Sequence, residues 1–423
     1  MNILMLAHWL PMPGRPQETR REYRFARRLL KDHRLTLAFV AEEQDLAGRV
    51  SALRDEFGDV EFAMLPRGWA TLAAAARAVT GESGSIAYFR SEALRARLAQ
   101  RQSASPYDVV YVSSSSMMPY AVELDSRLPV VVDFGELDSE WWAQKAEERL
   151  FPAATFFRTE AARLRLCEAA AARRAVRSIA ASPRAAGVLA AHVPDVVIDV
   201  VPDGVDQDYF GTASKASSSG STVAIVGTLD GSESVEALAR FCLTTVPSVR
   251  AALPDVRFLV ASRSIPASAE RLADIAGIEN AGPVDDIRSL LREASVAVAA
   301  LPATGGLPVA IVEAMLSGLP VVATQAAAEG LGAVAGRDLE VADNPMAFAR
   351  QVIELLGSTE RSAALAARGQ TFARARHSWE ASTARMLELI EISASSRGAA
   401  LDPLETFRGQ ALAPDGKALA ARP

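Results

Sequence analysis

A glycine-rich loop between a buried strand and a helix is the feature of this sequence best suited to chemistry. The chain reads AALPATGGLPVAIVEAMLSGLPVVAT from Ala299 to Thr324. Its apolar run predicts a strand over Val296–Leu301, and Leu307–Leu316 are predicted to form the helix that follows. Backbone N–H groups at the positive end of such a helix suit a diphosphate. The same pattern is also typical of an ordinary strand–loop–helix unit, so both interpretations stay open.

A cluster of carboxylates beside two tryptophans forms a second candidate site. The cluster follows the predicted strand Val130–Phe134, and open α/β sheets bind ligands outside the carboxyl ends of their strands. Carboxylates accept hydrogen bonds from sugar hydroxyls, and the indole faces of Trp141 and Trp142 suit the C–H faces of sugars. The alternative is an acidic N-terminal cap on a helix. The carboxylates are Asp133, Glu136 and Asp138.

Short apolar runs separated by helical stretches predict a doubly wound α/β architecture that occurs twice, each time around a parallel sheet. The predicted strands are Asn2–Ala7, Leu35–Val40, Val109–Val112, Val130–Phe134, Ser178–Ala181, Val197–Val201, Thr222–Val226, Arg257–Ala261, Val296–Leu301 and Val321–Thr324. A polar segment over 211–220 marks the connection, which gives predicted domains at 1–205 and 206–378. A helix over 379–392 and a tail over 393–423, predicted to be disordered, complete the chain.

Composition excludes several classes of protein. The net charge is -6, and residues 1–200 carry 26 basic and 25 acidic side chains against 19 and 26 in the remainder, so nothing favours a nucleic-acid partner. Cys167 and Cys242 are too few for a disulfide framework, which fits a cytoplasmic protein. The four histidines show no ligand spacing, and we expect no metal and no cofactor. No leader and no apolar run of ~20 residues is seen, so neither a signal peptide nor a membrane span is predicted.

The linker and the glycine loop together resemble the glycosyltransferase-4 family, which contains retaining, nucleotide-sugar-dependent enzymes of the GT-B fold. VPDGVDQDYF is similar to the family's linker pattern V-P-N-G-V-D-x-x-x-F, with Asp203 in place of Asn. IVGTLDGSESVEALARF resembles the opening strand, turn and helix of the donor domain. The segment GIENAGPVDDIRSLLREASVAVAALPATGGLPVAIVEAMLSGLPVVAT resembles the donor-site core.

Four segments of the first half are similar to a subgroup of sugar transferases from bacterial exopolysaccharide clusters. They read HWLPMPGRPQETRREYRFARRL, YDVVYVSSSSMMPY, VVVDFGELDSEWW and FFRTEAARLRLCEAAAA. The likeness covers roughly residues 1–392, and the order and spacing of the motifs are more specific than any one of them.

The resemblance implies a set of donor-binding residues in the second half. Glu313 matches the second of two family acids that flank the donor loop, and its implied role is hydrogen bonding to the ribose. Gly305 stands where the family has the first acid, which puts the identity of the donor sugar in question. Arg263, just after a predicted strand, is a candidate to offset diphosphate charge, and a solvated surface arginine is the alternative. The remaining implied residues are Gly227, Thr228, Val284, Gly306, Leu307 and Val309.

The first half is expected to hold the acceptor and the residues nearest the chemistry. Asp138 is the first candidate catalytic residue and Glu136 the second, since a local acid can position groups and stabilise developing positive charge. The resemblance places Gly14 and Arg20 near the acceptor and the donor phosphates, although Arg20 also fits a solvated basic face. Asp133 and Ser115 are further acceptor candidates, with capping and loop packing as the alternatives.

These observations predict a retaining glycosyltransferase that moves a sugar from a nucleotide diphosphate donor to a glycan or lipid-linked acceptor. The donor is expected in the second domain and the acceptor in the first. The basic segment Phe151–Arg177 allows contact with an anionic membrane face, although a core helix with solvated arginines is the favoured interpretation. A catalytically silent GT-B protein acting as an assembly or regulatory partner is one alternative. A nucleotide-sugar epimerase of the same architecture is another.

Overall fold

The structure is a computed structural model of the chain. It describes residues 1–8, 10–11, 21–42, 46–65, 67–79, 81–125, 127–147, 149–211, 221–227, 229, 232–262, 266–280, 286–300 and 308–396. The chain divides into two compact units. The N-terminal unit contains Met1–Val201 and the residues from Thr383 onward, and the C-terminal unit contains Pro202–Ser382.

The described residues of the N-terminal unit form a parallel sheet of seven strands. The strands are β1 (Asn2–Ala7), β2 (Arg34–Glu42), β3 (Val60–Leu65), β4 (Val109–Ser113), β5 (Val130–Asp133), β6 (Arg177–Ala180) and β7 (Ile198–Val200). Their spatial order is β3-β2-β1-β4-β5-β6-β7, and every neighbouring pair is parallel. The strand order reverses between β1 and β4, and open sheets of this kind bind ligands beside the carboxyl ends at that switch point.

Helices cover this sheet and connect its strands. They are α1 (Arg21–Asp32), α2 (Leu46–Phe57), α3 (Arg67–Val79), α4 (Gly84–Tyr88), α5 (Glu92–Ala104), α6 (Met118–Leu124), α7 (Asp138–Glu147), α8 (Ala153–Arg174) and α9 (Pro183–His192). A 3₁₀ turn at Ser115–Met117 follows β4. Helix α8 is buried along its C-terminal half, where Ala171 and Ala172 are fully covered, as the core-helix interpretation of this segment requires.

The C-terminal unit repeats the architecture with six parallel strands among its described residues. They are β8 (Thr222–Val226), β9 (Arg257–Ala261), β10 (Glu279–Asn280), β11 (Val296–Ala299), β12 (Val321–Ala323) and β13 (Glu340–Val341), in the order β10-β9-β8-β11-β12-β13. Its helices are α10 (Gln207–Gly211), α11 (Ser232–Ala252), α12 (Ala267–Ile275), α13 (Arg288–Glu293), α14 (Val309–Leu316), α15 (Gln325–Leu331), α16 (Pro345–Gly357) and α17 (Thr359–His377). The switch point of this sheet lies between β8 and β11.

Alternating residues of β8 enter two separate apolar cores, which shows that the sheet is covered on both faces. Val223 and Ile225 pack in one core with residues of α11 and α16, such as Phe348. Ala224 and Val226 pack in the other core with α14 and α17. A strand that is apolar on both faces reads as a continuous hydrophobic run, and this is why the sequence reveals it.

The last helix, α18 (Trp379–Ser395), carries the chain from one unit to the other. Its start lies against the linker: the Val205 N–H donates to the His377 carbonyl at 2.7 Å, and Val205 forms a β-bridge with Ser378. Further along, Arg385 donates to Asp199 of the N-terminal unit at 2.8 Å. The helix runs to Ser395, three residues beyond its predicted end at 392. Residues 397–423, most of the predicted disordered tail, lie outside the described residues.

The predicted α/β class is confirmed: each of the two units contains a doubly wound parallel sheet. All ten predicted strands are present, and their ends shift by at most two residues. The prediction missed three strands, β3, β10 and β13, each at an edge of its sheet. It also began α14 too early, because Pro308 is the cap residue and the helix starts at Val309.

Candidate active site

The carboxyl ends of β1, β4 and β5 bring the polar residues of the N-terminal unit together. His8 follows β1, and the ring of His8 meets the Phe89 ring edge to face at 5.6 Å. A run of four serines, Ser113–Ser116, closes β4 and is buried throughout. The acidic cluster follows β5, as the sequence predicted. The switch point of this sheet therefore carries an imidazole, hydroxyls and carboxylates at one edge.

Asp133, at the end of β5, is only 2% exposed, and donors surround its carboxylate. The Arg21 guanidinium donates to it through Nε at 2.7 Å and through Nη2 at 3.2 Å. The Tyr111 hydroxyl and the Gly135 N–H at 3.0 Å donate as well. Both carboxylate oxygens are thus engaged inside the unit. This environment makes Asp133 a positioning residue for the turn that follows, and its predicted contact with an acceptor stays a prediction.

Asp138 opens α7 and is held by a serine in an unusual backbone conformation. The Ser114 hydroxyl donates to Asp138 Oδ2 at 3.0 Å. Ser114 has φ 71° and ψ 141°, a region that glycine favours and that costs other residues of order 1–3 kcal/mol. Burial raises the pKa of the Asp138 carboxyl, against the opposing effects of the His8 charge and the Ser114 hydrogen bond. Strain retained beside a partly buried acid is typical of functional sites, which favours Asp138 as the residue nearest the chemistry.

Glu168 of α8 is a second buried acid at the same place, and sequence reasoning missed it. It accepts from the Ser139 N–H at 2.9 Å and from the Ser139 hydroxyl at 2.5 Å, so it caps the helix that Asp138 begins. Burial raises the pKa of Glu168 to about 7; the hydrogen bonds from Ser139 oppose this shift, and the Asp138 and Glu140 charges add to it. Glu168 therefore fixes the start of α7 and, through it, the orientation of Asp138.

Protonation of Glu168 is expected to make the stability of the protein depend on pH. The folded protein binds a proton that the unfolded chain, with the ordinary value of 4.5, releases. This contribution to the free energy of unfolding is fully present below about pH 4.5 and is lost as the pH rises through about 7. Glu168→Gln keeps an acceptor oxygen for Ser139 and cannot ionise. The melting temperature is measured at about pH 5 and at about pH 8 for both proteins. The change in melting temperature between the two pH values should be smaller for the variant than for the wild type, and equal changes would contradict the assignment.

A cavity of about 610 Å³ lies beside these residues, wholly within the N-terminal unit. Its volume is in the range of small-molecule sites. Asp138 and Glu136, the two predicted catalytic residues, both line it, and so does His8. Aromatic side chains make up much of the remaining wall. They are Tyr88, Phe89, Trp141, Trp142 and Phe156.

Of the three other predicted acceptor residues, Ser115, Gly14 and Arg20, the structure describes only Ser115. Ser115 is buried, and its hydroxyl has no hydrogen-bond partner among the described residues, while its neighbour Ser116 lines the cavity. Gly14 and Arg20 lie outside the described residues. Arg21 follows directly and, instead of joining a solvated basic face, pairs with Asp133 and lies 4.5 Å from the centre of the Phe25 ring.

The C-terminal unit presents its predicted donor residues at the switch point between β8 and β11. Gly227 directly follows β8 with φ 147°, a conformation that favours glycine. Val309 is the first residue of α14, and Glu313 lies one turn further along the same helix with only 1% of its surface exposed. The remaining predicted donor residues lie outside the described residues. They are Thr228, Arg263, Val284, Gly305, Gly306 and Leu307.

An ion pair between Arg288 and Asp286, called the charged clamp below, lies next to the segment that contains Val284, a predicted donor-binding residue. Arg288 donates to both carboxylate oxygens of Asp286 and also to the Tyr209 carbonyl at 3.1 Å. Its guanidinium lies 3.5 Å from the centre of the Tyr209 ring. Arg288 lowers the pKa of Asp286 to about 2. The charged clamp holds Asp286, which directly follows the segment containing Val284. Through Tyr209 it also connects α13 to α10.

Two features are absent from the described residues. No group of three or more His, Cys, Asp or Glu side chains there is arranged to hold a metal ion. Among the same residues, no helix is both long enough and apolar enough to cross a membrane.

Comparison with known proteins gives the chemistry of the C-terminal unit. Residues 220–358, from just before β8 to the end of α16, match the family model described as glycosyl transferases group 1. The protein is a glycosyltransferase. The matched segment contains Gly227, Val309 and Glu313. No curated protein sequence matches the chain.

Solved structures share the fold of this glycosyltransferase over nearly its whole length. HepE of Anabaena, solved with UDP and glucose, aligns over 93% of this chain and 100% of its own at a TM-score of 0.58 and 17% identity. The sucrose-phosphate synthase of Thermosynechococcus elongatus aligns over 94% and 100%, at 0.60 and 15%. WaaG, a glycosyltransferase involved in lipopolysaccharide biosynthesis, aligns over 92% and 99%, at 0.54 and 15%. At such low identity these similarities show the GT-B fold.

Proposed function

We propose that this glycosyltransferase moves a sugar from a nucleoside diphosphate sugar to a hydroxyl of a glycan or lipid-linked acceptor. The proposal includes retention of anomeric configuration and a role in exopolysaccharide or other cell-surface glycan synthesis, as the family 4 resemblance implies. One observation carries most of it. The glycosyltransferase match falls on the unit in which Gly227 and the start of α14 flank the switch point of the sheet.

The donor is proposed to bind the C-terminal unit. Its diphosphate lies at the start of α14 beside the glycine loop, where free N–H groups and the helix dipole favour negative charge. Glu313, one turn further, accepts hydrogen bonds from the ribose hydroxyls. Arg263 offsets further charge, and the proposal needs no metal. The HepE structures, which contain UDP or UDP-glucose, support a nucleotide-sugar donor for this fold.

The transfer is proposed to exchange one bond at the anomeric carbon for another on the same face of the sugar. The bond from that carbon to the diphosphate oxygen breaks, and the bond to the acceptor oxygen forms. The proton of the acceptor hydroxyl passes to the leaving diphosphate. Asp138 holds the acceptor hydroxyl and, as an anion, stabilises the positive charge that develops on the sugar. Glu136, exposed at the cavity wall, is the second acidic contact.

A panel of nucleotide sugars tests the proposal by following nucleotide release in the presence of mixed glycan and lipid acceptors. At least one donor is expected to release its nucleotide at a rate that depends on acceptor. Nucleotide binding without release for any donor would favour a catalytically silent GT-B protein, and donor conversion without acceptor would favour an epimerase. Either outcome would overturn the transferase proposal.

Glu313→Gln tests the donor half of the site. Loss of the charged acceptor of the ribose hydrogen bonds is expected to weaken nucleoside diphosphate binding by roughly 10- to 150-fold, as for hydrogen bonds to charged groups. Glu329→Gln makes the same chemical change at an exposed position of α15 and should leave the dissociation constant unchanged. Calorimetric titration of both variants makes the comparison. Equal affinities for wild type and Glu313→Gln would remove Glu313 from the donor site.

A further inference from the structure

The cavity of the N-terminal unit is amphipathic, because its polar and apolar walls come from different elements. The polar side chains lie at the carboxyl edge of the sheet: His8 after β1, Ser116 after β4, and Asp138 after β5. The helices supply the apolar wall, with Tyr88 from α4 and the two tryptophans from α7. A ligand that fills such a cavity needs a hydroxylated end and an apolar end.

One acidic side chain of the helical wall is already satisfied. Glu160 of α8 is buried and accepts from the Ser83 hydroxyl at 2.6 Å, from the Ser85 N–H at 2.8 Å and from the Gly84 N–H at 3.1 Å. It therefore caps the first turn of α4 and joins that helix to α8. The helical wall thus offers mainly aromatic surface, with few hydroxyls such as those of Thr71 and Ser85, which argues against a ligand that is hydroxylated along its whole length.

Apolar surface continues from the cavity to the outside of the unit. Trp141 and Phe156 line the cavity and are 52% and 54% exposed. Outside the cavity lining, the connection between α7 and α8 exposes two further apolar side chains, Leu150 at 88% and Phe151 at 83%. Arg149 stacks on the Phe157 ring, 4.2 Å from its centre, on the same connection. An apolar chain can therefore leave the cavity past Trp141 and Phe156, which line it and reach the surface.

We propose that this cavity is the acceptor subsite, and that the acceptor is an amphiphile whose hydrocarbon or ring-containing tail packs against the aromatic wall. Its hydroxyl lies at the sheet edge beside His8 and Asp138. The inference rests on the proposed function for the identity of the reaction. Of the glycan and lipid-linked acceptors proposed there, it selects those with an apolar portion. The tail belongs either to a bilayer lipid or to a monomeric amphiphile.

A series of n-alkyl glucosides from methyl to octyl, below their micelle concentrations, tests the assignment on the full chain without any donor. A change in tryptophan emission reports binding, since Trp141 and Trp142 line the cavity. Each methylene that enters the cavity is expected to raise the affinity by about fourfold. Equal affinities for the methyl and octyl compounds, or tighter binding of a free glucose oligomer than of octyl glucoside, would overturn the proposal.

Two exposed residues provide a matched pair of variants. Phe156→Ser removes part of the cavity wall and is expected to lower octyl glucoside affinity about tenfold, because the octyl chain loses the aromatic surface that it would cover. Leu150→Ser makes a comparable change outside the cavity lining and should leave monomer binding unchanged. An unchanged affinity in Phe156→Ser would contradict the assignment. Because both side chains are largely exposed, neither change is expected to prevent folding.

Vesicles distinguish the two sources of the tail. Sedimentation of the protein with vesicles of phosphatidylcholine and phosphatidylglycerol, weakened in Leu150→Ser, would support a bilayer lipid. Length-dependent glucoside binding without sedimentation would support a monomeric amphiphile. Titration with UDP, GDP, ADP and TDP on the same protein separates this inference from the proposed function. Nucleotide binding without any dependence on alkyl length overturns only the cavity assignment, whereas length-dependent binding without nucleotide binding overturns only the donor assignment.

Discussion

Asp138→Asn is expected to lower kcat by about 10²–10³-fold, the usual loss when one preorganised electrostatic group is removed from a transition state. The amide keeps the shape of the side chain and still accepts from the Ser114 hydroxyl, so the start of α7 should stay in place. What is lost is the negative charge beside the acceptor hydroxyl. Initial rates of nucleotide release at saturating donor measure the effect.

A second substitution separates this loss from a change in helix capping. Ser139→Ala removes the hydroxyl that donates to Glu168 but keeps the Ser139 N–H bond and the Asp138 charge. It should destabilise the protein with a much smaller loss of kcat than Asp138→Asn. If the two variants lose activity in proportion to their stability, Asp138 serves only the helix, and its catalytic role is wrong.

Gly204→Ala is expected to destabilise the C-terminal unit by about 3 kcal/mol or more, at the upper end for overpacking. A Cβ at this position would lie 2.4 Å from the backbone nitrogen of Trp379 and 2.5 Å from its Cα. No side-chain rotation relieves a clash with backbone, so the linker or the start of α18 has to move. That movement breaks the hydrogen bond from Val205 to the His377 carbonyl. The requirement explains the glycine in the linker motif on purely structural grounds.

Gly330→Ala is the matched control for this prediction. Gly330 lies in α15 of the same unit, and a Cβ there would meet no atom within 4 Å. Because alanine favours helix, this change should be neutral or stabilising by up to about 1 kcal/mol. Thermal unfolding followed by circular dichroism compares the two, with a loss of roughly 6–12 °C expected for Gly204→Ala. A melting temperature equal to that of Gly330→Ala would mean that the linker does not approach Trp379 as closely as described.

The interior strands could be predicted from the sequence because burial on both faces makes them continuous apolar runs. Three of the four edge strands, β3, β10 and β13, could not, whereas the fourth, β7, was predicted. In β3, Glu61 interrupts the apolar pattern and burial is partial along the strand. The edge strands β10 and β13 have two residues each and include Glu279 and Glu340, too short and too polar for any periodicity to register. Their place is set by neighbouring strands rather than by their own composition.

The candidate site also contains residues that could be predicted from the sequence and residues that could not. Asp133, Glu136 and Asp138 could be found because they follow a recognisable strand. The residues that orient them come from distant helices: Arg21 lies 112 positions from Asp133, and Glu168 lies 29 positions from Ser139. A basic residue at the start of the first helix was the one available signal for Arg21. The strain at Ser114 leaves no trace in composition, since serine is common in loops.

The central claim, a nucleoside diphosphate site in the C-terminal unit, is tested most directly by calorimetric titration of UDP, GDP, ADP and TDP into the folded wild-type chain. The account predicts that at least one of the four binds at a single site, and that Glu313→Gln weakens the same titration. Failure of all four to bind a chain that unfolds cooperatively would contradict it.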